Sequence, residues 1–178
     1  MASFSIRPAR ASELQMLVAI DDDASELYAR AGLALTFDKS HPFVVAESAR
    51  WAAAIERGLA HVAVDPGDRP IGFTTLGFVD SEPYLDQIAV RRSSMRRGVG
   101  TALLRHAFEW SRGRSLWLTT YLHLPWNRPY YERHGFVLVP ERACGPELRA
   151  ILRDQRAALP DPEMRVAMVR RHRHAPLS

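Results

Sequence analysis

Between Tyr84 and Arg112 the apolar period of this chain changes from two residues to about 3.6 across a single glycine-bearing turn. Tyr84-Leu-Asp-Gln-Ile-Ala-Val90 alternates as a strand, which places Asp86, Ile88 and Val90 on one face and Leu85, Gln87 and Ala89 on the other. Apolar residues return at 99, 103, 104, 107, 108 and 110, the spacing of a helix over Val99–Arg112 that buries one side and stops at Gly113. A strand that feeds a helix through so short a turn excludes all-helical and all-strand architectures and points to an α/β layer fold.

The flanking segments extend the same pattern. Alternation over Phe4–Pro8 and Met164–Val169, and the strand-like runs Ala60–Val64, Ile71–Phe78, Ser115–Tyr121 and Phe136–Val139, predict six further strands. Asp65-Pro-Gly-Asp68 has the chemistry of a hairpin turn. Helical spacing begins after Ser12, a plausible N-cap, runs through Leu14, Leu17 and Val18, and resumes from Glu26 to Ala31 before Gly32. Ser48–Arg57, Pro129–His134 and Pro146–Leu159 are further helices, and residues 171–178 read as a frayed tail. With 178 residues, 47% of them apolar, there is enough chain for one filled core, so a single domain over residues 1–178 is expected.

No apolar run approaches the roughly 20 residues of a membrane span, and the first residues lack the pattern of a secretion signal. Cys144 is the only cysteine, which rules out an internal disulfide and a cysteine-rich zinc site; no metal and a cytoplasmic location are expected. The net charge of +4 is uneven: residues 1–60 carry net −2 and residues 121–178 net +4. All basic residues but Lys39 are arginines, the mark of a GC-rich genome more than of a binding surface.

The turn itself, Arg91-Arg-Ser-Ser-Met-Arg-Arg-Gly-Val-Gly100, can hold an anion. Gly98 and Gly100 leave backbone N–H groups uncovered, the helix start adds partial positive charge, and Arg91, Arg92, Arg96 and Arg97 surround it. It is not a Walker loop, since no Gly-Lys-Ser/Thr follows. It is not a dinucleotide fingerprint either: Leu103 stands where the third Gly or Ala belongs, and Thr119 and Thr120 stand where a ribose-binding acid would. A turn that uses its glycines for conformation alone fits the same residues.

Two segments together carry a resemblance. Val90 to Leu104 is similar to the acetyl-CoA motif of the GNAT superfamily of N-acetyltransferases, with Arg96, Arg97, Gly98, Val99 and Gly100 in place and Met95 at a position that the motif gives to Gln or Arg. Pro125-Trp-Asn-Arg-Pro-Tyr-Tyr-Glu-Arg-His-Gly-Phe136 resembles the late signature of that family through Asn127, Tyr131, Gly135 and Phe136. The resemblance implies a mixed sheet of six to seven strands, with splayed fourth and fifth strands and helices on both faces. Residues 84–136 would carry the motifs, and a helix and strand within 146–169 would extend them.

The resemblance also implies roles. Backbone groups of Ile88, Ala89 and Val90 would pair with the pantetheine arm, and an N–H near Ile88 would polarise the thioester. Met95 would take part through its backbone, and N–H groups from Arg96 to Thr101 would hold the diphosphate. Asn127 would bond the pantetheine arm, and Tyr131 would protonate the departing thiolate. The general base stays open among Asp86, Glu82, His123 and a water relay, with Asp86 first because it lies on the fourth strand. Cys144 lies beyond the last motif, so direct attack by an amine is expected instead of a cysteine acyl-enzyme.

The acceptor is expected to be an amine of a small molecule or of a peptide or protein; the acidic run Asp21, Asp22, Asp23 and Glu26 reads first as a solvated face or a helix N-cap and second as a wall that attracts the amine. The alternative is a catalytically weak acetyl-CoA sensor of the same fold. A homodimer is left open. Neither a membrane nor a nucleic acid is expected as partner: the arginines at 91–97 and in the tail Arg170-Arg-His-Arg-His174 are not interleaved with stacking aromatics.

Overall fold

The structure is a computed structural model and describes residues 3–33, 35 and 37–172. In chain order its elements are β1 (Ser5–Pro8), α1 (Leu14–Arg30), α2 (Pro42–Glu56), β2 (Ala60–Val64), β3 (Pro70–Val79), β4 (Glu82–Val90), α3 (Val99–Trp110), β5 (Leu116–Tyr121), α4 (Arg128–Arg133), β6 (Val137–Val139), α5 (Pro146–Ala158) and β7 (Arg165–Arg170), with short 3-10 turns between some of them. The sheet is mixed and seven-stranded, in the order β1-β2-β3-β4-β5-β7-β6. Among the described residues no helix is long and apolar enough to cross a membrane.

Two compact units can be distinguished: Met1–Gly77 with Leu85–Ala107, and Phe78–Tyr84 with Phe108–Ser178. In the first, β1, β2 and β3 pair antiparallel, with Ile6 opposite Ala63 and Val62 opposite Phe73. Alternation along β2 then feeds two cores. Val62 and Val64 pack with Leu17 and Ile20 of α1, Trp51 of α2, Phe73 and Ala89. Ala63 points the other way and packs with Val90, Val99 and Leu103. Helices therefore cover both faces here. Leu17 and Ile20 are fully buried, each a contribution of about 1.5–3 kcal/mol. A Cβ on Gly72 would stand 3.0 Å from the Ala89 carbonyl oxygen, 3.1 Å from Val99 and 3.3 Å from Leu103, so a bare backbone at 72 lets α3 lie close on β3.

In the second unit β7 runs antiparallel between β5 and β6, with Trp117 and Val137 both opposite Val169. Tyr84 stands opposite Trp117 in the parallel pairing of β4 with β5, near the start of both strands. Leu148 and Leu152 of α5 pack on Val79, Tyr84, Val139, Cys144, Ala167 and Val169. The two-residue turn Asp80-Ser81 has φ of 50° and 63°, the primed hairpin geometry. It also caps α5. Asp80 accepts the N–H groups of Glu147 at 2.9 Å and Leu148 at 3.1 Å, and Glu147 in return accepts the Asp80 N–H. Gly145 precedes the helix because any Cβ there would fall within 2.6 Å of the Asp80 carboxyl atoms.

Some expectations need correction. Ser12 is not the cap of α1: residues Ala11–Glu13 form a 3-10 turn, and the Glu13 carboxylate takes the Arg10 N–H at 2.8 Å and Arg7 at 2.7 and 3.0 Å. α2 starts at Pro42, six residues before Ser48, because proline suits a first helical position and His41 Nδ1 accepts the Phe43 N–H at 3.2 Å. Arg170 belongs to β7, not to a tail, and its guanidinium lies 4.1 Å from the Phe108 ring centre. Of the supposed tail, residues 173–178 lie outside the described residues.

Replacing Asp80 with Ala should cost about 1–2 kcal/mol, the usual value of a helix cap. A thermal melt should show a Tm lower by about 2–8 °C. Asp154→Ala, an exposed change on the same helix, should move Tm by no more than about 1 °C; equal shifts in the two variants would refute the cap.

Candidate functional site

The turn from β4 to α3 lies in the first unit and is built by identifiable bonds. The Arg91 N–H pairs with the Ile71 carbonyl at 2.8 Å and continues the sheet by one residue. At Arg92 the chain leaves it. Asp23 of α1 accepts the Arg92 backbone N–H at 2.7 Å and its Nε at 3.1 Å, which holds the start of the turn. The Arg92 N–H is the main cause that keeps the Asp23 carboxyl below the usual carboxylate range. A 3-10 turn over Arg92–Ser94 follows, with Ser94 buried. Met95 then packs against the Ala63, Val90, Val99 and Leu103 cluster. An apolar side chain at that position anchors the turn to the core.

Arg96 and Gly98 adopt left-handed backbone, with φ of 59° and 83°. Open space surrounds the missing Cβ of Gly98, so it is the φ angle that requires glycine there. Successive residues of opposite hand turn their N–H groups to one side, an anion-binding concavity. α3 begins at once: the Ala102 N–H takes the Gly98 carbonyl at 2.9 Å. The N–H groups before it, on Val99, Gly100 and Thr101, have no carbonyl one turn behind them. Arg96, Arg97 and Gly98 are exposed. Beside them lies a cleft of about 460 Å³ lined by Phe4, Asp65, Arg91, Ser93, Ser94 and Arg97. Arg91 is held there by the Pro70 carbonyl at 3.3 Å and the Met16 sulfur at 3.0 Å.

Along β4 the alternation read from the sequence fails at one point. Ile88 and Val90 do share a face and pack with the α3 core. Asp86 does not join them: its carboxylate meets Arg50 of α2, 3.4 Å away, while α2 packs on the opposite core with Ala89. The neighbouring Gln87 also reaches the helices on that side, donating its amide to Asp21 of α1 at 2.6 Å. Both side chains thus find partners on α1 and α2, and the Gln87 carbonyl takes the Thr74 hydroxyl at 3.0 Å. Gln87 Oε1 also accepts the Ile88 N–H at 3.3 Å. Burial is the main cause that pushes the Asp21 carboxyl up to about 7, assisted by Asp22 and opposed by the Gln87 bond.

The acidic run is therefore divided: Asp21 serves Gln87, Asp23 serves Arg92, and Asp22 is exposed. Sequence reasoning gave neither Asp21 nor Asp23 a partner. Their 3.6-residue positions relative to buried Leu17 and Ile20 held the only signal.

In the second unit the late motif forms one local knot. The Asn127 carbonyl accepts the Tyr131 N–H at 3.0 Å, and the Tyr131 carbonyl accepts the Phe136 N–H at 3.1 Å. Gly135 has φ of 87°, which lets the chain turn back after α4. Asn127 and Tyr131 are both buried, and the Tyr131 ring meets Phe136 edge-on at 5.5 Å and Tyr130 at 5.3 Å. The other proposed bases are engaged: Glu82 lies 3.6 Å from Arg114, and His123 lies 3.4 Å from Asp161. Cys144 is buried with its thiol pushed up by that burial, which suits packing better than nucleophilic work.

Residues 17–136 match the model of the Acetyltransferase (GNAT) family. The chain belongs to that family. Solved structures show the same fold at low sequence identity. An N-acetylglutamate synthase from Neisseria gonorrhoeae, complexed with coenzyme A and N-acetyl-glutamate, is 17% identical with a TM-score of 0.68 over 98% of this chain. This chain spans about a third of that synthase, 36% of its length. The PaiA N-acetyltransferase of Thermoplasma acidophilum, in complex with coenzyme A, is 14% identical with a TM-score of 0.65, over 95% of this chain and 99% of that one. A GNAT acetyltransferase of Staphylococcus aureus Mu50 is 11% identical with a TM-score of 0.70, over 96% and 100%.

Asp23→Ala should speed amide exchange at Arg92 at least about tenfold, read by hydrogen–deuterium exchange. In the wild-type chain the tie is complete above the ordinary carboxylate pKa of about 4 and is lost as pH falls below it, since the folded state holds Asp23 low. Arg92 protection that stays constant down to pH 2 would refute the tie.

Proposed function

We propose that this chain transfers an acetyl group from acetyl-CoA to a primary amine of a small molecule or of a peptide or protein, by direct attack. The observation that carries the reading is the turn after β4, where left-handed Arg96 and Gly98 run into the open first turn of α3. It offers a ready site for a diphosphate: N–H groups from Arg96 to Thr101, with Arg97 and the backbone of Met95 at its edge. The coenzyme A found in the Neisseria and Thermoplasma structures that share the fold supports this ligand.

In this reading the backbone of Ile88, Ala89 and Val90 pairs with the pantetheine arm, and Asn127 bonds the same arm. The Ile88 N–H gives up its long 3.3 Å contact with Gln87 Oε1 to polarise the thioester carbonyl, a role played by backbone. The neutral amine attacks the carbonyl carbon, a C–N bond forms, the C–S bond breaks, and Tyr131 gives its proton to the sulfur. The ammonium proton must go first to a base: Asp86 or Glu82 on β4, His123 after β5, or a water relay. Asp86 meets Arg50, and Asp21 is the carboxylate bonded to Gln87. The reading takes residues 1–178 as one functional domain working in the cytoplasm.

Acetyl-CoA offered with a panel of amines should release free CoA with at least one acceptor. Tyr131→Phe should lower kcat by about 10²-fold or more with CoA affinity unchanged. Gly100→Trp should abolish CoA binding by calorimetry. Tight acetyl-CoA binding with no turnover on any amine would replace the enzyme reading with that of a sensor. Full turnover in Tyr131→Phe would remove that residue from the mechanism.

A further inference from the structure

Three residues of the first unit form a short hydrogen-bonded chain. Asp21 accepts the Gln87 amide N–H at 2.6 Å, and the other end of that amide accepts the Ile88 N–H at 3.3 Å. One side chain thus separates the Asp21 carboxylate from the backbone donor that the acetyl-transfer reading assigns to the thioester carbonyl. The acceptor nitrogen must come to that carbonyl carbon. A proton acceptor for that nitrogen has to lie near this donor, and Asp21 stands one carboxamide away from it.

The charges around it leave it available. Asp22 and Asp23 lie on its own helix, Glu47 and Arg50 on α2, Asp86 on β4 and Arg92 on the turn. Arg50 is taken by Asp86 at 3.4 Å and Glu47 at 3.9 Å, and Arg92 by Asp23 at 3.1 Å. Among the described residues no guanidinium reaches Asp21. Asp21 as a residue is half-buried. We propose that the Asp21 carboxylate, and not Asp86, accepts the proton of the acceptor ammonium; this rests on the acetyl-transfer reading above.

The protons balance. Asp21 takes one from the ammonium and passes it to water. The neutral nitrogen attacks, and the second proton that it sheds replaces the one that Tyr131 gives to the departing sulfur. The products are the amide, the free thiol and one proton in solution. A carboxyl raised to about 7 by burial suits this task near neutral pH, because half of it is ionised and its proton is held firmly enough to draw one from an ammonium.

The test is the dependence of kcat on pH at saturating acetyl-CoA and amine, in wild type, Asp21→Asn and Asp86→Asn, with CoA affinity by calorimetry alongside. The asparagine at 21 keeps an acceptor for the Gln87 amide, so folding and CoA affinity should persist within about twofold. The wild-type kcat should rise with pH through a midpoint of about 7. Asp21→Asn should remove that limb and lower kcat about 10²- to 10⁴-fold at neutral pH, while Asp86→Asn keeps the limb. An intact limb in Asp21→Asn, or its loss in Asp86→Asn alone, would overturn the assignment and leave the acetyl-transfer reading standing. A wild-type chain that binds CoA and acetylates no amine would overturn both. Carbon-13 titration of the Asp21 carboxyl gives a readout free of turnover, and a midpoint near the ordinary value of about 4 would also overturn the assignment.

Discussion

A carboxylate on α1 that holds both the backbone N–H and the guanidinium of Arg92 determines where β4 ends. A charged acceptor on a backbone N–H is among the stronger hydrogen bonds a protein makes. Because the strand stops there, a 3-10 turn follows at once and Met95 can drop into the apolar cluster beneath α3. With both sides of the turn tied down, Arg96 and Gly98 can keep left-handed backbone, and α3 can begin with its first N–H groups facing outward. The bare backbone of Gly72 lets that helix lie close on β3. The outward-facing turn is the product of these ties, and the arginines that mark it in the sequence are mostly solvent-facing.

What was legible in the sequence follows from what is local. The change of period between Tyr84 and Arg112, the glycine at 98 and the Asn127–Phe136 knot are set by neighbours within a few residues, and these appear as read. The order of strands in the second unit was not legible, because β7 enters between β5 and β6 through pairings many residues apart. The start of α2 is not marked by a polar cap, because a proline opens it and the His41 ring does the capping. The Asp86–Arg50 pair is invisible to alternation, which knows only the strand, because Arg50 belongs to a helix.

Consecutive residues of a helix point about 100° apart, so three identical side chains in a row meet three environments. Asp21 meets an amide under cover, Asp22 meets water, and Asp23 meets a guanidinium and a backbone N–H. The first is pushed up by burial and the third is held down by its bonds. A charge count along the chain merges them into one acidic patch. The fold separates them, and with adjacent residues α1 contributes to the architecture of the turn and to the pairing with Gln87 on β4.

Cys144 sits in the apolar cluster where α5 packs on β7, and burial suppresses its thiolate. A thiol reagent reacts only with exposed thiolate, so it must wait until α5 lifts from the sheet. Since the chain has no other cysteine, each modification event counts one such opening when labelling outpaces reclosing. The native sequence therefore carries its own clock for breathing of the second unit, and no label has to be engineered to read it.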